Sequence, residues 1–356
     1  MVDGLCINGR YLFRPPTGVD VVAQEVLARL TGPGIEVLAP EGELFGKPPA
    51  QRLVQDGRFS GHFWEQMHLP RMVGGRPLLG FCNTGPVALS EQVVVMHDAQ
   101  FLDHASSYTW TFRALYRSLL PLVARRARQV ISVSHASLRA LHEFGVIPKD
   151  KGTVILNGSD RLRGLRADDT ILERNGLSER GYFLAVGSAA PHKNIGMLCD
   201  VFSSFEGTVP PLVIAGGANS AVFSGGFVAA SRNIVRLGRV TDGELKSLYS
   251  NAVALLFPSL TEGFGLPPLE AMDAGTMAIV SDGGGIPEAC AYAALYATPH
   301  KADAWYRQIL RTIESVALQD EMRAAGRMRS AELTWDRTAR AYSELLASTF
   351  EKERAA

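Results

Sequence analysis

Neither sign of charge is in excess. The 36 basic and 36 acidic side chains cancel over 356 residues, so no global field points to nucleic acid or an acidic polymer as partner. Cysteine is scarce, and Cys6, Cys82, Cys199 and Cys290 lie far apart without a CxxC pair. That argues against a zinc site and a disulfide scaffold and suits a reducing cytoplasm. No run of eighteen apolar residues offers a membrane span, and the opening MVDGLCINGR lacks the basic start and apolar core of a secretory signal. A DxD sequence and a clustered His/Cys set are missing too, so no metal cofactor is implied. No fixed repeat or low-complexity tract is present.

What is present is alternation. A chain of 46% hydrophobic and 20% charged residues at this length suits two domains. Short apolar runs (GLCING, EVLAP, LLGFC, QVVVMHD, QVISVS) alternate with helical patterns such as VVAQEVLARL and TFRALYRSLLPLVARRAR. A polar stretch from Ser159 to Gly181 reads as a linker region. Then YFLAVGS, PLVIAGG, NIVRLG, VALLFPS, MAIVSD and ALYA resume the pattern, with helices starting near Ile195, Asp242 and Pro267. Two doubly wound α/β domains are expected, spanning 1–165 and 166–334, followed by a helix over 335–356. Ligands of such sheets bind at the carboxyl ends of strands.

TEGFGLPPLEAM, Thr261 to Met272, follows one of those strands and separates two carboxylates, Glu262 and Glu270, by apolar residues, glycine and proline. Pro267 and Pro268 suit the first turn of a helix, and Gly263 and Gly265 let backbone approach a ligand. The residues alone fit two readings: a helix start whose acidic residues favour its own dipole, or two carboxylates and a row of amides that bracket a polyhydroxylated ligand.

The longer segment SLTEGFGLPPLEAMDAGTMAIVSDGGGIPEA resembles the signature region of retaining GT-B glycosyltransferases with a Glu-x7-Glu motif, the group 1 or family 4 type that includes bacterial mannosyl- and rhamnosyltransferases. YFLAVGSAAPHKNIGMLCDVF, VRLGRVTDGELKSLYSNAVALLFPS and INGRYLFRPPTGVDVVAQEV are similar to other segments of that family and arrive in its order. The resemblance implies two Rossmann-like domains facing across a cleft, the first on the acceptor side and the second binding the nucleotide sugar, with the helix over 335–356 crossing back to the first, and transfer of a hexose from a nucleoside diphosphate. GDP-mannose is favoured as donor, with dTDP-rhamnose or a UDP-hexose as alternatives. The acceptor is a saccharide hydroxyl, lipid-linked, in bacterial surface polysaccharide synthesis. A nucleotide-sugar epimerase of the same fold and a non-catalytic assembly subunit are the competing functions.

By the same resemblance Glu262 lies against the transferred sugar, Glu270 holds the ribose, and the amides of Gly263, Phe264, Gly265 and Leu266 face the sugar and diphosphate. Lys193 neutralises the leaving phosphate. His97, which without the family reads as structural, approaches the donor sugar. Gly18, Ser188, His192 and Val240 fall on donor-binding positions, Gly18 with Thr17 in a loop that closes near the diphosphate. The chain departs from the family where Ser188 and His192 stand in place of an arginine, and where Asp20 and Val21 follow the first-domain loop. FWEQMHLP and CNTGP look architectural. Finally, Arg113, Arg117, Arg125 and Arg128 share a helical face without acidic neighbours, opposite Leu115, Leu119, Leu122 and Val123. That face is either the solvated side of a core helix or a peripheral contact with anionic membrane on its cytoplasmic side.

Overall fold

A computed structural model describes residues 2, 4–14, 16–45, 48–57, 59–103, 107–205, 207–217 and 233–350. The chain divides into two compact units. Unit 1 takes in residues up to Asp103, Tyr108–Asn157 and the segment from Trp335; unit 2 takes in Gly158–Thr334 with Ser107.

Unit 1 is built on seven strands, β1 (Cys6–Asn8), β2 (Glu36–Ala39), β3 (Arg52–Gln55), β4 (Leu78–Gly80), β5 (Gln92–Met96), β6 (Gln129–Ser132) and β7 (Thr153–Val154), in the order β3-β2-β1-β4-β5-β6-β7. Unit 2 has β8 (Phe183–Val186), β9 (Leu212–Ala215), β10 (Ile234–Gly238), β11 (Ala254–Phe257), β12 (Met277–Val280) and β13 (Leu295–Tyr296), in the order β10-β9-β8-β11-β12-β13. Neighbouring strands pair in parallel throughout both sheets. In both, the strand order reverses beside the first strand, at β1/β4 and at β8/β11. The central strands are apolar on both faces because helices cover both: β5, β11 and β12 are buried at every position. In unit 1 Val94, Met96, Val123 and Val130 belong to one buried cluster, and Cys6, Leu38 and Trp64 to another. In unit 2 Phe183, Phe202, Ile279 and Trp305 share the core.

The boundary falls at 157/158, ahead of the 165/166 division read from composition. Ser159 Oγ donates to the carbonyls of Ser330 and Leu333 at 3.0 and 2.8 Å, and Arg163 pairs with Asp273. The polar segment is thus fastened to unit 2 by partners more than a hundred residues away. The helix Trp335–Phe350 belongs to unit 1. It packs along the helix Gly18–Arg29, Asp336 accepts from Arg29 at 2.8 Å, Thr338 donates to the carbonyl of Leu156 at 2.8 Å, and Tyr342 lies 5.8 Å from Phe81 between ring centres.

The arginine-rich segment forms one helix, Trp110–Arg126, with Pro121 inside it. Its faces differ from the expected ones. Leu119 and Val123 are buried, but Leu115 and Leu122 are 44% and 49% exposed, beside Trp110 at 76%. Arg128 lies beyond the helix and pairs with Glu91 at 2.7 Å, and Arg113 is half-buried. The exposed cations are Arg117, Arg125 and Arg126. The wheel misplaced the leucines because apolar type was taken for burial. Among the described residues no helix is long and apolar enough to cross a membrane.

Candidate active site

In unit 2 the strand order reverses at β8/β11, and the carboxyl ends of the strands at such a reversal are the usual ligand position of doubly wound sheets. Lys193 ends the 3-10 turn Pro191–Lys193 that follows β8. The next residue, Asn194, has φ +55°, and its carboxamide donates to the carbonyls of Pro258 and Pro299 at 3.3 and 2.8 Å. The amide of Leu260 donates to the carbonyl of His192 at 2.7 Å, tying the two strand-end loops together. Lys193 Nζ thereby meets Glu262 Oε1 at 2.6 Å, with the side chains 21% and 12% exposed.

Glu262 is held from behind by the chain that follows β12. Gly285 N donates to the Glu262 carbonyl at 2.8 Å. A Cβ on Gly283 would strike the carbonyl of Leu260, and one on Gly284, which has φ +61°, the carbonyl of Glu262. Only glycine lets these backbones approach so closely. Gly263, Phe264 and Gly265 are buried, Gly265 with φ +126°, and the helix Leu266–Asp273 begins there with proline in its first turn.

Glu270 lies within that helix, buried, and both its oxygens are engaged. Arg161 Nε donates to Oε1 at 2.9 Å, and the Tyr249 hydroxyl donates to Oε2 at 3.3 Å. Arg161 also reaches Asp242 at 2.6 Å. Burial pushes the Glu270 carboxyl upward against the pull of the Arg161 guanidinium. Sequence reasoning missed Arg161, which sits in the stretch read as a linker, and Gly283 and Gly284.

Of the remaining candidates in unit 2, Ser188 and His192 share the segment after β8 with Lys193, and Val240 lies apart from it. His192 is 8% exposed, with Nδ1 3.2 Å from the Ser107 hydroxyl, so it adds no exposed cation beside Lys193. Ser188 is half-buried after β8, and Val240 follows β10, two strands away from β8.

In unit 1, His97 follows β5 and is buried. Its Nε2 lies 2.7 Å from the carbonyl of Phe81. A carbonyl only accepts, so Nε2 carries the hydrogen and Nδ1 keeps its lone pair. Burial lowers the imidazole pKa to about 4, and the ring is neutral at physiological pH. Gly18 is exposed at the first position of its helix. Asp20, unexpected at its position, accepts from the Thr17 amide and hydroxyl, both at 2.8 Å, and from Arg14 Nη2 at 2.7 Å. It fixes the loop by bonding back to the residue before the helix. Among the described residues, no three His, Cys, Asp or Glu side chains cluster as metal ligands would.

Two doubly wound domains with this strand order define the GT-B fold. The same fold is seen in a sucrose-phosphate synthase from Thermosynechococcus elongatus, which aligns over 99% of this chain and 100% of that one with a TM-score of 0.75 at 16% identity. Residues 168–329 match the family described as "Glycosyl transferases group 1". The chain is similar to the O-antigen chain mannosyltransferase RfbU of Salmonella typhimurium, 27% identical over 71% of this chain and 69% of that one. It is also similar to the O-antigen chain mannosyltransferase B of Escherichia coli, 31% identical over 59% of this chain and 58% of that one. These matches support a group 1 glycosyltransferase.

Proposed function

We propose that this glycosyltransferase moves mannose from a nucleoside diphosphate, GDP-mannose favoured, to a hydroxyl of a lipid-linked saccharide with the anomeric configuration retained. The observation that carries the reading is the Lys193–Glu262 pair at the β8/β11 reversal, supported by similarity to two O-antigen mannosyltransferases. A bound donor separates the pair. The ammonium turns to the diphosphate, whose charge grows as the glycosidic bond breaks, and the carboxylate accepts a hydrogen bond from a sugar hydroxyl. The acceptor oxygen bonds the anomeric carbon on the face that the diphosphate leaves. The bonding pair departs on the phosphate oxygen, which takes the acceptor's proton, and no protein nucleophile is needed.

Glu270 holds the ribose, and the neutral His97, with Nδ1 as acceptor, suits a sugar hydroxyl. The amides from Gly263 to Leu266 lie against the sugar and diphosphate. Lys193 and these amides supply the positive potential, so transfer should persist in EDTA. The exposed Arg117, Arg125 and Arg126 with Trp110, Leu115 and Leu122 fit peripheral attachment to an anionic cytoplasmic membrane, where a lipid-linked acceptor would be met.

The test is a thermal-shift panel of GDP, UDP and dTDP, followed by NMR of the product anomer. GDP should raise the melting temperature most, because a ligand of the folded state stabilises it. A shift with UDP or dTDP alone would reassign the donor, and an inverted product would remove the same-face mechanism.

A further inference from the structure

Arg161 lies ahead of residues 168–329, the part of the chain that matches the family, yet its side chain meets the carboxylate assigned to the ribose. It sits in the 3-10 turn Asp160–Leu162. Its guanidinium is held at both ends: Nη1 donates to Asp242 at 2.6 Å, and Nε donates to Glu270 Oε1 at 2.9 Å. Asp242 is exposed, whereas the side chains of Arg161 and Glu270 keep only 14% and 7% of their surface. Asp242 opens the helix Asp242–Asn251, and Tyr249 of the same helix donates to Glu270 Oε2 at 3.3 Å.

The pair is not needed to fasten the turn. Ser159 already reaches the carbonyls of Ser330 and Leu333, Arg163 pairs with Asp273, and Lys246 Nζ donates to the carbonyls of Arg163 and Leu165 at 2.9 and 2.7 Å. A buried ion pair recovers little of its desolvation cost as stability. What it does fix is direction. An ionised carboxylate accepts at about four positions. Among the described residues Arg161 takes one on Oε1 and Tyr249 one on Oε2, which leaves one open on each oxygen. Two hydroxyls on neighbouring carbons of a sugar ring match that arrangement, because each can donate to one oxygen. Burial favours the protonated carboxyl, which would turn an acceptor into a donor, and the guanidinium opposes it.

We propose that Arg161 is a positioning residue that presents Glu270 to both ribose hydroxyls, so that this chain takes its sugar from a ribonucleotide and rejects 2′-deoxynucleotides such as dTDP. The inference rests on the transferase reading and narrows it: GDP-mannose and a UDP-hexose remain as donors, and dTDP-rhamnose is excluded. A missing 2′ hydroxyl leaves one oxygen of a buried, ionised carboxylate unpaired, which costs ~10-fold to 10²-fold in affinity, as for a hydrogen bond to a charged group.

The test is calorimetric titration of the full chain with GDP, UDP, dTDP and the 2′-deoxy and 3′-deoxy analogues of GDP and UDP. In the parent, removing either hydroxyl should weaken whichever of GDP or UDP binds by ~10-fold or more. In Arg161→Gln that ratio should fall to ~2- to 5-fold, the worth of an ordinary hydrogen bond. Arg161→Lys keeps the charge without the planar fork, and its ratio should fall between the two. An Arg161 that only braced the fold would, when replaced, weaken ribonucleotides and deoxynucleotides equally and leave the ratio unchanged. Arg161→Lys decides if Arg161→Gln fails to fold, and the parent comparison stands in either case. Binding of dTDP or a deoxy analogue to the parent as tightly as the ribonucleotide, or an unchanged ratio in the folded Arg161 variants, would overturn the proposal. A parent that binds none of the nucleotides would instead overturn the transferase reading.

Discussion

Acidification should destabilise the protein through His97 in a way that one substitution removes. The buried ring titrates at about 4 when folded, against an ordinary value of 6.5 when unfolded. Between those limits the unfolded chain binds more protons, so stability rises with pH. The contribution is complete above about 6.5 and is lost as pH falls through the interval towards 4. The full interval corresponds to roughly 3 kcal/mol, of which about 2 kcal/mol disappears between pH 7 and pH 5. His97→Gln cannot titrate, and its amide can still donate to the Phe81 carbonyl. Urea unfolding of parent and variant at the two pH values isolates the effect, since the other titrating groups are common to both. The parent should lose about 2 kcal/mol more than the variant. A difference that stays constant to within about 0.5 kcal/mol would refute the buried, neutral imidazole.

Glu262→Gln should reduce transfer by ~10²–10³-fold while sparing nucleotide binding, and Glu270→Ala should weaken the nucleotide itself. Full turnover and unchanged nucleotide affinity in both would sink these roles. Arg161→Met leaves the Glu270 carboxylate buried without its cation and should destabilise the fold by about 3–5 kcal/mol. Adding Glu270→Gln should recover part of that loss, and an Arg161→Met chain as stable as the parent would show the pair to be idle. Vesicle sedimentation tests the exposed helix face: the parent should pellet with anionic lipid at low salt, less so at high salt. Replacing Arg117, Arg125 and Arg126 by glutamate should leave it in solution, and equal pelleting would make the face an ordinary wall of the unit.

The alternation of parallel strands and helices was legible because buried strands need continuous apolar runs, as in Gln92–Met96 and Ala254–Phe257. The loop from Thr261 and the helix at Leu266 were legible for a local reason, since glycine and first-turn proline are short-range signals. The strand Arg52–Gln55, partly exposed and half polar, gave no such run. The helices Ala302–Glu314 and Val316–Glu332 were not marked out. What escaped in the candidate site is long-range. Arg161 meets a carboxylate 109 positions away, and in unit 1 Glu65 gathers Asn8 and Thr84 from 57 and 19 positions away. The motif containing Glu65 looked architectural because Asn8, Arg10 and Thr84 come from elsewhere in the sequence and His62 alone is near. Leu115 and Leu122 show the converse error, in which residue type alone was allowed to decide which helix face is inside.

The return of the chain to unit 1 bears on how the protein is made. Trp335, Tyr342 and Leu346 are buried in that unit, yet they are translated only after all of Gly158–Thr334. Once Asn157 has left the ribosome, the seven strands of unit 1 are all present but still lack a helix that covers part of them. Unit 2 is continuous through Gly158–Thr334 and can close as soon as it emerges. The unit synthesised first is thus the last to be finished, and through that interval its exposed apolar surface is what a chaperone would bind. Expression of residues 1–157 alone should give aggregated protein. Supplying the helix Trp335–Phe350 through a short linker after Asn157 should restore a soluble unit.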